Sequence, residues 1–338
     1  MRLDTACAPA FARHETFHPR YGWIKKSVDA STEDPDVFSR DEAVVILGVG
    51  KNMVRSIRHW GVAFKVLESW KVPGSRVAMA SPSRFGEILF GERGWDPYCE
   101  QIGTLWLLHW LLLAPRSSVP VWWLAFSEFA AVEFTDDELE QFVADRTKGW
   151  ADPHESSIKK DVSCLLRMYA RNPDRTSFED MIDSPFRELD LIRPSVMTPG
   201  AWRFIIGEKP TLPPAVAAFA ALDFVARIES SARTVTVSRL ATEAGSPGRA
   251  FKLSEQALLS LLERATTTCT EIEIAQVAGV HQLAFAGDPS EVATELLWDH
   301  YRSIPGNSQA RFPGHHLIAG PSAGDAIQRV LTDSEVLR

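Results

Sequence analysis

The first residues whose types and spacing could do chemistry are His14-Glu15-Thr16-Phe17-His18, which spell H-E-x-x-H. On a helix this spacing offers two imidazoles on one face to zinc, and the glutamate between them activates water. Pro19 follows directly and biases His18 away from helical backbone, so a zinc protease is not expected. Two readings of the wider run Phe11 to Lys26 stay open. In one it is an arm that docks on the core through Phe11, Phe17, Tyr21 and Trp23. In the other Arg20, Lys25 and Lys26 touch a phosphate backbone while His14, Glu15 and His18 form a catalytic set. Asp96 and Glu100 are a second choice, because a spacing of four puts both carboxylates on one helical face, as metal ligands would be. The plainer reading is that they solvate a helix start and complement its dipole.

Charge is uneven around these groups. From Lys51 to Arg93, eight basic residues face three acids, while the whole chain has 36 basic and 44 acidic residues and a net charge of −8. Glu128 to Asp145 is the reverse, with seven acids and no base. The acidic average argues against a nucleic-acid partner, and the local basic block argues for one.

The elements that must position the basic block read as helix, turn, helix. Ser39-Arg40-Asp41-Glu42 has capping-box spacing ahead of the apolar run Ala43 to Leu47, and Gly48-Val49-Gly50 breaks that run. A second helix is predicted from Lys51 to about Phe64, with Met53, Val54, Ile57 and Trp60 as its buried stripe. Lys51, Asn52, Arg55 and His59 fall opposite. In a helix-turn-helix the second helix enters the major groove, where Arg and Lys read guanine and Asn reads adenine. The expected DNA-contacting set is Arg20, Lys25, Lys26, Lys51, Asn52, Arg55, Arg58, His59 and Arg84. For Arg58, beside the buried stripe, packing or a local ion pair is an equal alternative. The plainer reading of the whole feature is a three-helix core whose exposed face is basic.

At 338 residues the chain is predicted to be a mainly α, multi-domain α+β protein that contains winged-helix or helix-turn-helix units and small β-hairpins. The expected divisions are an irregular arm over 1–38, a DNA-binding domain over 39–150, a helical domain over 151–303 and a tail over 304–338. The second of these folded parts carries its own winged-helix order: the strand-like run at Thr234, helices, then a hairpin around Ala278-Gly279. Leu105 to Ala114 is apolar on all sides but only ten residues long, so it predicts a buried helix and no membrane span. The N-terminus lacks the apolar run of a signal peptide, and Cys7, Cys99, Cys164 and Cys269 are widely spaced, which together lead us to expect a reducing cytoplasm. No Walker A loop or nucleophile elbow appears, so no nucleotide or organic cofactor is indicated.

Three stretches, Phe11 to Lys26, Leu47 to Trp60 and Trp95 to Leu112, together resemble SspB-type proteins of bacterial DNA phosphorothioation systems, a family long carried as a domain of unknown function. The resemblance implies a cytoplasmic component of phage defence that acts with a cysteine desulfurase, an ATP pyrophosphatase-like protein and an ATPase. It further implies that this member nicks DNA, which would call for Mg2+ or Mn2+ to polarise the phosphoryl group and activate water. The competing classes are a non-enzymatic winged-helix DNA-binding adaptor and a transcriptional regulator.

Overall fold

The computed structural model describes residues 1–71, 77–171, 184–229 and 231–307. These are mainly helical with three small antiparallel sheets. The helices are α1 (Leu3–Ala6), α2 (Trp23–Glu33), α3 (Ala43–Ile46), α4 (Lys51–Ala63), α5 (Arg84–Phe90), α6 (Ile102–Leu113), α7 (Pro120–Ser127), α8 (Asp136–Thr147), α9 (Glu155–Tyr169), α10 (Pro214–Ile228), α11 (Val237–Thr242), α12 (Pro247–Ala250), α13 (Glu255–Thr266) and α14 (Pro289–Arg302). The expected tail lies outside the described residues from 308 onward, as does Arg76 of the basic block.

Buried apolar residues form one contiguous cluster from Leu3 to Tyr301. Its centre is α6 and α7, which are apolar on every side and therefore buried on every side. Trp106 and Trp110 are almost wholly buried, as their place in the apolar run predicts. Among the described residues no helix is long and apolar enough to cross a membrane.

Two lysines hold the ends of this pair of helices. Lys65 donates Nζ to the carbonyls of Leu111 and Ala114 at the end of α6. Lys252 donates to Ala125 and Phe126 at the end of α7, each at 3.1 Å. Helix C-termini leave carbonyls without intrahelical partners, and a buried amine supplies the missing donors. Both lysines have left-handed backbone, with φ of 61° and 53°.

The stretch 1–38 differs from the expectation of an irregular arm. Trp23–Glu33 is a helix that packs on α4. Strands β1 (Leu67–Lys71) and β2 (Ala78–Pro82) then form an antiparallel hairpin with Leu67 opposite Pro82. Ser39 does not cap α3, which is a single turn preceded by Glu42. A second sheet runs β3-β5-β4, built from Glu133–Phe134, Trp202–Phe204 and Ile192–Pro194. The third contains β6 (Thr234–Thr236), β7 (Ile272–Val277) and β8 (Val280–Phe285) in the order β6-β8-β7, so the hairpin read around Ala278-Gly279 is present. Thr135 and Glu138 make a full capping box at the start of the acidic helix α8.

Candidate nucleic-acid interface

Helix α4 starts after a turn in which Gly48 takes φ 64°, a conformation that suits glycine. Val54, Ile57 and Trp60 are buried on one side, while Lys51, Asn52 and Arg55 are exposed on the other. The amphipathic split read from the sequence is therefore real for these six residues. It fails for His59, whose ring packs 5.1 Å from Trp60 and 6.2 Å from His14. Burial, with the charge on His14 and Arg13 acting in the same direction, lowers the His59 pKa to about 3. A neutral imidazole held in an aromatic cluster is not placed to read DNA. Arg58 is half-buried and donates to Ser69 on β1, so it ties the helix to the hairpin, which is the packing alternative.

The arm and α4 come together. Trp60 Nε1 donates to the Phe17 carbonyl at 2.9 Å, and Ser56 Oγ to the same carbonyl at 3.4 Å. Arg55 faces Glu15 at 3.5 Å. The H-E-x-x-H run itself is a tight turn in which Glu15 and Thr16 take φ of 51° and 67°, so no helical face presents the two imidazoles. His14 is instead buried against Asp161 of α9, with Nε2 2.7 Å from Oδ1. Burial alone would lower the His14 pKa, but Cys164 and Asp161 beside the ring outweigh it and raise it to about 10. The Asp161 carboxyl is pushed up by burial and pulled back by His14 and by the Ala12 amide. His18 is buried with Nδ1 on the Pro19 carbonyl, and burial brings its pKa down to about 4. The two histidines are thus enclosed and point to different partners, a correction to the catalytic set expected from spacing.

The second choice is corrected as well. Asp96 and Glu100 precede α6, which begins only at Ile102. Asp96 is buried and accepts hydrogen bonds from the amides of Glu100 and Gln101 and from Thr104 Oγ1, at 2.8, 3.0 and 2.6 Å. Its lone pairs are spent on holding the entry to α6, and Glu100 is exposed. Among the described residues no group of three or more His, Cys, Asp or Glu side chains is arranged to hold a metal ion. These residues therefore do not fit a preformed metal cage, and no step is assigned to a metal.

The remaining cations lie beside the arm. Lys25 pairs with Asp29 at 2.6 Å and donates to the Phe90 carbonyl. Lys26 donates to the Leu47 carbonyl at 2.9 Å, fixing α2 to the turn before α4. The Arg20 guanidinium sits over the rings of Phe17 and Trp23. Arg84 is exposed at the first turn of α5. Sequence reasoning missed Asp161, Arg167 and Arg187. They reach the arm from 147 or more positions away, and only the i, i+3 spacing of Asp161 and Cys164 on α9 hinted at a shared inward face.

Residues 11–301 match the family model described as a protein of unknown function, DUF4007. Two solved structures are similar over nearly the whole chain. A magnesium ion-bound SspB crystal structure is 36% identical with a TM-score of 0.85, covering 90% of this chain and 92% of that one. Another SspB crystal structure is 35% identical with a TM-score of 0.84, covering 99% of this chain and 97% of that one. No curated protein matches the sequence. On both the family model and these structures, the chain belongs to the DUF4007 family and is SspB-like along its length.

Proposed function

We propose that this chain is the DNA-binding component of a DNA phosphorothioation system and that it meets duplex DNA through the outer face of α4. The observation that carries this reading is the exposed row Lys51, Asn52 and Arg55 on a helix that follows a glycine turn, in a chain that is SspB-like from end to end. The hairpin β1–β2 directly follows α4 and takes the place of a wing. Lysine and arginine on such a face release counterions from the phosphate backbone, and asparagine and arginine discriminate bases in the major groove. The sheet order β6-β8-β7 around α11 and α13 supports a second winged-helix unit in the C-terminal half. In this role the chain works with the cysteine desulfurase, ATP pyrophosphatase-like protein and ATPase of the same pathway.

A second reading, strand nicking, is favoured by the magnesium ion bound in one similar SspB structure. Magnesium commonly binds through one or two carboxylates together with substrate phosphates, so a cage built by the protein alone is not required. The test is a fluorescence anisotropy titration of labelled duplex across a salt series, beside a supercoiled-plasmid assay with magnesium, with manganese and with chelator. Duplex binding that weakens with salt and is lost when Lys51, Asn52 and Arg55 become alanine supports the first reading. Chelator-sensitive plasmid relaxation adds the second. Absence of duplex binding at low salt overturns the first.

A further inference from the structure

The third sheet ends on a strand with an open edge. In the order β6-β8-β7, strand β7 pairs with β8 alone among the described residues. Two hydrogen bonds fix which of its backbone groups point outward. Ala286 N donates to the Glu271 carbonyl at 2.9 Å, and Phe285 N donates away from β7, to the Arg233 carbonyl, at 3.1 Å. Antiparallel pairing alternates, so with Ile272 opposite Phe285 the amides and carbonyls of Glu273, Ala275 and Val277 are spent on β8. Those of Ile272, Ile274 and Gln276 point the other way. The Ile272 amide turns to the Cys269 sulfur, which leaves the N–H and C=O groups of Ile274 and Gln276 as the unpaired edge.

The charge around this edge is negative. From Leu253 to Asp299 the chain has eight acids and one base, Arg264. Glu271 and Glu273 sit before and on β7, while Glu255 and Glu263 lie on α13, which packs against β7. All four are exposed, and none is in an ion pair among the described residues. Glu271 accepts the Cys269 thiol at 3.3 Å and the Thr270 hydroxyl at 3.2 Å, contacts that leave its charge in place. Acids on an edge discourage pairing between identical chains, because a second copy would set glutamates against glutamates. They also repel a phosphate backbone, so this hairpin is unlike the basic face of α4.

We infer that the edge of β7 is a docking site for a protein partner that presents an extended basic segment, which joins the sheet as a fourth strand. Main-chain hydrogen bonds to Ile274 and Gln276 hold the segment. Glu271 and Glu273 are two apart and share a face, so lysine or arginine at alternate positions of the added strand meets both carboxylates. The site does not depend on the α4 reading. Charge excludes a second copy and selects the partner.

The test uses the full chain with three fluorescein-labelled peptides of about eight residues, within the usual length of a strand. In them lysine alternates with threonine, lysine with glycine, or glutamate with threonine. Only the first combines strand propensity with the fitting charge, and it should bind about tenfold more tightly than the other two. Gln276→Pro removes an outward N–H without touching the β7–β8 ladder and should weaken that peptide about fivefold or more. Glu271→Gln with Glu273→Gln should weaken it about fivefold at low salt and little at high salt. Amide hydrogen exchange at Ile274 and Gln276 should slow when the peptide is bound. Should Gln276→Pro lose its near-ultraviolet dichroism, the glutamine pair and the exchange still decide. Equal binding of the two lysine peptides, or exchange that the peptide leaves unchanged, overturns the added strand. A glutamine pair that shifts duplex DNA affinity but not peptide binding makes the hairpin a nucleic-acid wing and overturns the docking site.

Discussion

His14 Nε2 lies 2.7 Å from Asp161 Oδ1, both side chains are at most 4% exposed, and 147 positions of chain separate them. The carboxylate also accepts the Ala12 amide at 3.0 Å, so one aspartate of α9 fixes both the backbone and the imidazole of the arm. Removing one member of a buried pair leaves the other without compensation, a loss of about 3 to 5 kcal/mol. His14→Ala and Asp161→Asn are each expected to lower the urea midpoint strongly, and the double variant to cost much less than the sum. A double-mutant cycle with additive effects would mean that the two groups do not act as a pair. The raised His14 pKa puts its contribution fully in place below about pH 6.5 and removes it as pH rises through about 10.

Acid acts through other histidines. Burial lowers His18 to about 4, His59 to about 3 and His109 to about 4. The partners of His109 settle its tautomer: Nε2–H donates to the Ala250 carbonyl at 2.9 Å, and Nδ1 accepts the Tyr169 hydroxyl at 2.7 Å. Below about pH 6.5 the unfolded chain takes up protons that these folded histidines refuse, so stability falls as pH drops toward about 4. Urea melts at steps between those pH values should show the decline, and His109→Gln should flatten part of it. A midpoint that does not move over this window would contradict the buried neutral state.

How far the sequence speaks depends on how each element hides its polar face. Helices α4, α8 and α13 and the β7–β8 hairpin were legible because apolar residues recur at helical or alternating spacing. Helix α2 was not, since its buried face includes Ser27 and Ser31, whose hydroxyls turn back onto carbonyls of their own helix. Strand β1 carries Glu68 and Lys71 and gives little alternation. Asp96 looked like the start of a helix because it does serve that start, from outside, through the Glu100 and Gln101 amides. For the candidate site, the open face of α4 could be read locally. The burial of His14 could not, because Trp122 and Asp161, which enclose it, come from α7 and α9, and His59 in turn packs on that enclosed His14.

Trp110 tests the centre of the core. It is 2% exposed and donates Nε1 to Asp223 Oδ2 at 2.8 Å, where Arg227 also binds. Trp110→Ala is expected to cost about 3 to 5 kcal/mol through the cavity it leaves. Trp110→Phe fills most of that space and leaves Asp223 with one donor fewer, so thermal unfolding should rank wild type, Phe, Ala. An alanine variant as stable as the phenylalanine one would assign the cost to the lost hydrogen bond and not to packing.

Lys65 and Lys252 predict a rise in stability on the alkaline side. Burial brings both amines down to about 7. Between about pH 7 and 10.5 the unfolded chain therefore holds protons that the folded chain has released, and stability climbs with pH by up to about 1.4 kcal/mol per unit for each lysine. Lys252→Met should remove its share of the slope. It should also cost about 1 to 3 kcal/mol for each of the Ala125 and Phe126 carbonyls left bare. Equal slopes for wild type and variant from pH 7 to 9.5 would mean the amine stays charged where it is.

Glu15 faces Arg55 at 3.5 Å, with the two side chains 34% and 54% exposed, and this contact separates the two roles open to the arm. If Glu15 only shields Arg55, Glu15→Gln frees the guanidinium and removes a negative charge beside the exposed face of α4 proposed to meet DNA. Duplex affinity should then rise about twofold to fivefold, the range of an exposed ion pair. If Glu15 takes part in nicking, affinity holds and plasmid cleavage falls. The enclosed positions of His14 and His18 favour the first result, since a lone half-exposed carboxylate already paired with arginine has no imidazole free to work beside it. Arg55→Ala should cost about 1 to 3 kcal/mol if the guanidinium reads a base, and Lys51→Ala should lower the salt slope by about one. Unchanged affinity in Arg55→Ala, together with unchanged affinity in Glu15→Gln, would take α4 out of the interface altogether.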